Sequence, residues 1–114
     1  MGECIFCKIA RGEIPSQVVH DDEDTFAFVD LNPQAPLHIL VIPKVHIPKP
    51  QDIQEAHRSI IGRLFQVAAA IARGEGVEQS GYRLVVNSGP EAGQIVDHLH
   101  VHLLGGRAMS WPPG

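Results

Sequence analysis

His98-Leu99-His100-Val101-His102-Leu103-Leu104 places three of the chain's seven histidines on alternate positions, with aliphatic residues between and after them. In a strand, successive side chains point to opposite faces. The imidazoles therefore share one face at intervals of roughly 6.6 Å, while the aliphatic residues take the other. In an α-helix the middle ring would point about 200° away from the first. A strand is therefore predicted, from Ile95 to Leu104. An imidazole with a pKa near about 6.5 can act as nucleophile, base or metal ligand around neutrality. Imidazole nitrogen attacking phosphorus divides one displacement into two and leaves a histidine adduct that water can hydrolyse. The middle residue, His100, suits that role because it has a donor on each side. Alternate polar residues can simply mark a solvated strand face, but Ser, Thr, Lys and Glu commonly serve there. Histidines at i and i+2 can also ligate zinc, and spacing alone leaves that open.

The loop Ser88-Gly89-Pro90-Glu91-Ala92-Gly93 lies just before this segment, and its glycines allow backbone N–H groups to approach phosphate oxygens. Asn87 and Gln94 add neutral donors. Upstream, Val18 to His20 and Thr25 to Asp30 read as a β-hairpin around the acidic run Asp21 to Asp24, and His38 to Ile42, ended by Pro43, reads as a third strand. From Asp52 to Arg73 apolar residues recur at three and four positions, predicting one long helix. Asp52 and Glu55 resemble a capping box at its start. Cys4 to Arg11 reads as a short N-terminal helix, with Ile5, Phe6 and Ile9 on one face, and Tyr82 to Asn87 as the fourth strand. Sequential strands around one helix imply an α+β fold with an antiparallel five-stranded sheet. The tail Trp111-Pro112-Pro113-Gly114 carries the only Trp and is expected to dock.

With 114 residues the chain suits a single domain, 1–114. Its 44% hydrophobic and 19% charged residues are those of a folded protein. A formal charge of -4 offers no general field for a nucleic-acid polymer. Met1 to Cys4 shows no basic lead into an apolar run, and no stretch approaches the ~20 apolar residues of a membrane span. A cytoplasmic protein is the expectation. His20, His57 and the acidic run are expected to be solvated surface, and Lys44 and Lys49 could steer an anion.

The run His98 to Leu104 resembles the signature of the histidine triad (HIT) family, His-φ-His-φ-His-φ-φ with φ apolar. Asp30 to Pro36, Val41-Ile42-Pro43-Lys44, Tyr82 to Asn87, Gly105-Gly106 and Trp111 to Gly114 resemble its Hint-like branch. Members of that branch are homodimeric purine nucleoside phosphoramidases. The resemblance implies His100 as nucleophile, His98 and His102 as its flanking partners, and His38 as a supporting fourth histidine. It implies Asp30 on the ribose hydroxyls, and Ile5, Phe6, Ile9, Phe28, Val29 and Leu31 around the base. Asn87, Gly93 and Gln94 would contact the α-phosphate or leaving group, and Trp111 would reach toward the partner subunit's site. Ile95 stands where many members have Ser, which could slow turnover. Val29 stands where some have His, leaving base preference open. Dinucleoside polyphosphate hydrolysis, nucleotidyl transfer, and a binding module with vestigial chemistry are the alternatives.

Cys4-Ile5-Phe6-Cys7 has spacing that lets two thiolates share a tetrahedral metal with two histidines. A redox pair or two packed cysteines would have the same sequence, although a redox motif usually opens a helix after a strand. In several bacterial-type members of the family such a pair binds structural zinc with the histidine after the Pro-Lys segment and the first triad histidine. The resemblance therefore implies Cys4, Cys7, His46 and His98 as ligands.

Overall fold

The computed structural model describes residues 4–114; the reading of Met1 to Glu3 as part of a leaderless start lies outside the described residues. Helix α1 spans Ile5–Ala10, followed by strands β1 (Val18–Asp21), β2 (Thr25–Val29) and β3 (Leu37–Pro43), helix α2 (Arg58–Gly74), and strands β4 (Tyr82–Val85) and β5 (Val101–Gly105). The sheet is antiparallel throughout, in the order β1-β2-β3-β5-β4.

The two faces of the sheet follow from residue parity. Ile39 and Val41 of β3 and Val101 and Leu103 of β5 pack with Leu64, Val67, Ala68 and Ile71 of α2. Leu40 and Ile42 turn the other way and pack with Phe6 and Ile9 of α1 and with Phe26 and Phe28 of β2. α2 thus seals one face. The short α1 covers the other, where the even-numbered residues of β3 and β5 emerge.

Four expectations need correction. Asp52 and Glu55 do not cap α2. Pro50–Asp52 and Glu55–His57 form separate 3-10 turns because Ile53 between them is extended (φ -67°, ψ 129°). The helix starts at Arg58, and His57 sits at its N-cap with Nδ1 accepting the Gln54 N–H at 2.9 Å. β4 ends at Val85, short of Asn87. The fifth strand pairs only from Val101, because the chain before it bonds elsewhere. The Leu99 N–H donates to the Ile47 carbonyl (2.6 Å) and the His98 N–H to the Val96 carbonyl (2.9 Å). Finally, the acidic turn is not merely solvated. Asp22 accepts the Asp24 and Thr25 N–H groups, contacts His20 Nε2 (2.7 Å) and binds Arg63 of α2. Burial opposes its ionisation, yet these donors hold its carboxyl well below the usual range.

Candidate active site and metal cluster

Although 98–100 lies outside the ladder, the alternation persists. Leu99, Val101 and Leu103 enter the core under α2, and the three histidines lie on the α1 side. His100 is buried, with its ring 4.9 Å from that of His102 and 5.1 Å edge-on from Phe6. In the β3–β5 register His38 faces Leu104 and Leu40 faces His102. His38 is thus diagonal to His102, a separation that imidazoles can bridge.

Backbone groups fix the tautomers of His98, His100 and His38, because a carbonyl only accepts and an N–H only donates, and His38 in turn fixes that of His102. His100 Nδ1 lies 2.7 Å from the His98 carbonyl, so Nδ1 carries the proton and Nε2 keeps its lone pair. His98 Nε2 donates to the Pro43 carbonyl at 2.7 Å, leaving its Nδ1 lone pair free. The Gln34 N–H donates to His38 Nδ1 at 3.0 Å, so the proton of His38 is on Nε2. That Nε2–H donates to His102 Nδ1 at 2.9 Å, and His102 is left with its own proton on Nε2. The set therefore presents one nucleophilic nitrogen, on His100, beside one N–H donor, on His102. Burial, then the neighbouring rings of His100 and His38, push the His102 pKa down to about 4 against the pull of Asp30, so the ring is neutral near pH 7. Burial likewise lowers His38, again opposed by Asp30.

Asp30 follows β2 and is half-buried; its Oδ1 accepts the Asn32 N–H at 2.8 Å and its Oδ2 lies 3.3 Å from His38 Nε2. Phe6, Ile9 and Phe28 are buried on the same side of the sheet, Ile5 is partly exposed and Val29 half-buried, whereas Leu31 and Ile95 are each 93% exposed. Gly93 adopts φ 87°, a left-handed conformation that requires glycine, and Gly89 has φ 88°. Gln94 clasps this loop rather than offering free donors. Its Oε1 accepts the Gly89 N–H (2.8 Å), and its Nε2 donates to the Pro48 and Val96 carbonyls. Asn87 is half-buried just before the loop. Trp111 is 82% exposed, so the docking expected of the tail does not occur within one subunit. Lys44 and Lys49, read as ordinary surface residues that could steer an anion, pair with Asp21 and Asp97.

A second cluster lies on the far side of His98. Its Nδ1 is 3.2 Å from Cys4 Sγ, 3.6 Å from Cys7 Sγ and 3.2 Å from His46 Nδ1, and Cys7 Sγ is 3.6 Å from His46 Nδ1. Tetrahedral zinc with ordinary Zn–S and Zn–N bonds separates its ligands by about 3.3–3.8 Å. The donor set and spacing fit. Burial, only partly offset by the Pro43 hydrogen bond, pulls the pKa of His98 to about 4, which keeps the ring a neutral ligand.

Residues 11–109 match the HIT domain family model. The chain belongs to the HIT family. It is 54% identical over 112 residues to a maize protein named "14 kDa zinc-binding protein", covering 96% of this chain and 87% of the relative. It is 50% identical over 107 residues to the Escherichia coli K12 "Purine nucleoside phosphoramidase", covering 94% and 90%. A HIT family hydrolase from Legionella pneumophila superposes with a TM-score of 0.96 at 48% identity, covering 98% of this chain and 100% of that one. The five-stranded sheet with one long and one short helix is thus the HIT fold.

Two features of the site have no signature in the sequence: the Gln34 N–H that orients His38, and the carbonyls of Pro43 and His98 that orient His98 and His100. Any residue supplies such a carbonyl and any residue but proline such an N–H, and only the proline-rich turn before β3 points toward the first.

Proposed function

We propose that this nucleotide hydrolase of the HIT family is a purine nucleoside phosphoramidase acting through a nucleotidyl-His100 intermediate. The observation that carries the reading is the tautomer of His100. Its Nδ1–H is held by the His98 carbonyl, which leaves Nε2 as a lone-pair donor and stabilises the positive charge that develops on the ring during attack.

The purine lies against Ile5, Phe6, Ile9, Phe28, Val29 and Leu31, and its ribose hydroxyls donate to Asp30. The α-phosphate sits between His100 and the loop formed by Asn87, Gly93, Gln94 and Ile95. His100 Nε2 forms a bond to phosphorus as the P–N bond breaks, and the departing nitrogen takes up a proton from water. A second water then adds its oxygen to phosphorus, returns a proton to solvent and frees nucleoside monophosphate from His100. His102 Nε2–H donates to the charge that accumulates around phosphorus. Support for the substrate class comes from the 50% identity to a purine nucleoside phosphoramidase.

Cys4, Cys7, His46 and His98 would hold a structural zinc ion. These residues would place two thiolates on the ion, whose charge would neutralise them, and would tie α1 to the segment before β5. The chain would act as a homodimer. β4 is an open sheet edge, and beside it an apolar groove of about 330 Å³ includes Ile53, Ile61, Phe65 and Val86, with Phe65 44% and Val86 39% exposed. The exposed Trp111 would cover the partner's site.

Replacing His100 with Ala tests the reading. Hydrolysis of an adenosine phosphoramidate should fall at least about a thousandfold, while titration calorimetry still detects nucleoside monophosphate binding. Hydrolysis at the unmodified rate would refute it.

A further inference from the structure

We propose that Asp30 is a positioning residue as well as a binding one, through which the substrate's ribose hydroxyls strengthen the hydrogen bond that His102 offers to the reacting phosphate. The inference rests on the reading above, in which Asp30 receives the ribose. Its basis is a carboxylate placed beside a proton that is already donated. His38 Nε2–H donates to His102 Nδ1 at 2.9 Å, and the negative charge of Asp30 Oδ2 lies 3.3 Å from the same nitrogen without forming a second hydrogen bond to it. His38 cannot turn to satisfy both, because Nδ1 is tied to the Gln34 N–H. The backbone adds a further tie, the Asp30 N–H donating to the His38 carbonyl at 3.0 Å.

In the free protein the carboxylate competes for the His38 proton, since its negative charge draws the N–H toward Oδ2 and away from His102. Asp30 Oδ1 already accepts the Asn32 N–H, which leaves Oδ2 the more open oxygen for a ribose hydroxyl. Hydroxyl donation there partly neutralises the carboxylate and leaves His38 Nε2–H to His102 alone. Hydrogen bonds in a chain polarise one another, so a stronger bond at His102 Nδ1 makes its Nε2–H a better donor. The ribose is thereby sensed at the reacting phosphorus, and part of its binding energy is expressed only in the transition state. The sugar then contributes to rate as well as to affinity.

The test compares an adenosine phosphoramidate with its 2′-deoxy analogue, carrying the same amine, in the wild-type protein, His38→Ala and His38→Gln. Gln places an amide N–H near the position of His38 Nε2 and so conserves the donor. Wild-type kcat at saturation should drop about tenfold for the deoxy substrate, the equivalent of one hydrogen bond, in addition to any rise in KM. In His38→Ala kcat is lower for both substrates, their ratio returns to about one, and the calorimetric preference for AMP over deoxy-AMP persists. His38→Gln should regain a kcat ratio well above one. Independently of turnover, the ¹⁵N shifts of His102 in histidine-labelled protein should move further with saturating AMP than with saturating deoxy-AMP. A deoxy penalty confined to KM, or one of equal size in kcat for His38→Ala, overturns the coupling while the phosphoramidase reading stands. Absence of purine nucleotide binding to the wild-type protein overturns both.

Discussion

His38, His98 and His100 are each oriented by a main-chain group, and that decides what the other nitrogen can do; His102 takes its orientation from His38. His100 and His98 lie two residues apart yet expose opposite nitrogens, because one donates to a carbonyl through Nδ1 and the other through Nε2. The nitrogen proposed to attack phosphorus and the one that could ligate a metal are therefore distinguished by local backbone, not by residue type. The burial that lowers the pKa of His38 and His102 has a stability consequence. His38 and His102 bind protons less readily in the folded protein than in the unfolded chain. Between the unfolded pKa of about 6.5 and the folded value of about 4 for His102, the unfolded chain carries more protons, so stability must fall as pH is lowered through that window. Urea midpoints should be constant from pH 8 to 7 and then drop toward pH 5, and His102→Asn should flatten part of that drop. A midpoint that rises on acidification would contradict the neutral assignment. The shared face of the three histidines is legible in the sequence, because a period-two row of one costly residue type alternating with aliphatic residues has few structural uses. Gln94 is not, because nothing in its surroundings along the chain shows that its amide is consumed by Gly89, Pro48 and Val96 instead of remaining a free donor.

Among the elements, α1 is the one whose integrity depends most on chemistry outside itself. Six residues are too few to hold a helix alone; this one is anchored by Phe6 and Ile9, and a metal held by Cys4 and Cys7 with His46 and His98 would anchor it further. Phe6, between those cysteines, is also the residue whose ring meets His100 at 5.1 Å. Protein prepared with zinc should contain about one ion per chain, and Cys4→Ser/Cys7→Ser should contain almost none. Amide exchange over 5–10 should quicken in the double variant, with affinity for AMP reduced several-fold; unchanged exchange would show that the cluster does not hold the helix. α2 by contrast is held by its buried face, and Leu64→Ala should cost about 3 kcal/mol in denaturant unfolding. The periodicity of that face is enough to identify α2 from the sequence, but the helix begins at Arg58, well beyond the expected cap at Asp52. The apolar positions Ile53 and Ala56 continue the helical spacing by coincidence, while Ile53 is extended between two 3-10 turns. β5 is likewise recognisable by alternation, which survives at His98 and His100 although their backbone bonds leave the ladder.

For the molecule as a whole, the sheet order leaves β1 and β4 at the edges, and the exposed apolar residues Phe65 and Val86 gather beside β4. No helix of the described residues is long and apolar enough to cross a membrane. A twofold interface on the β4 side would cover this surface. Light scattering should give twice the chain mass, and Phe65→Asp should shift it toward the single-chain value; a monomeric wild-type protein at micromolar concentration would contradict the dimer. Such an assembly is invisible to composition and periodicity, since an exposed Phe on a helix reads as core until its neighbours are known. Everything proposed for the chemistry nonetheless converges on one bond, between His100 Nε2 and phosphorus. It is most directly tested by mixing the protein with excess adenosine phosphoramidate, quenching in base within the first turnover, and locating any adduct by peptide mass spectrometry. An adenylyl group on His100, appearing and decaying at rates compatible with turnover, is the expected result. Turnover without an adduct, or with the adduct on another histidine, would contradict it.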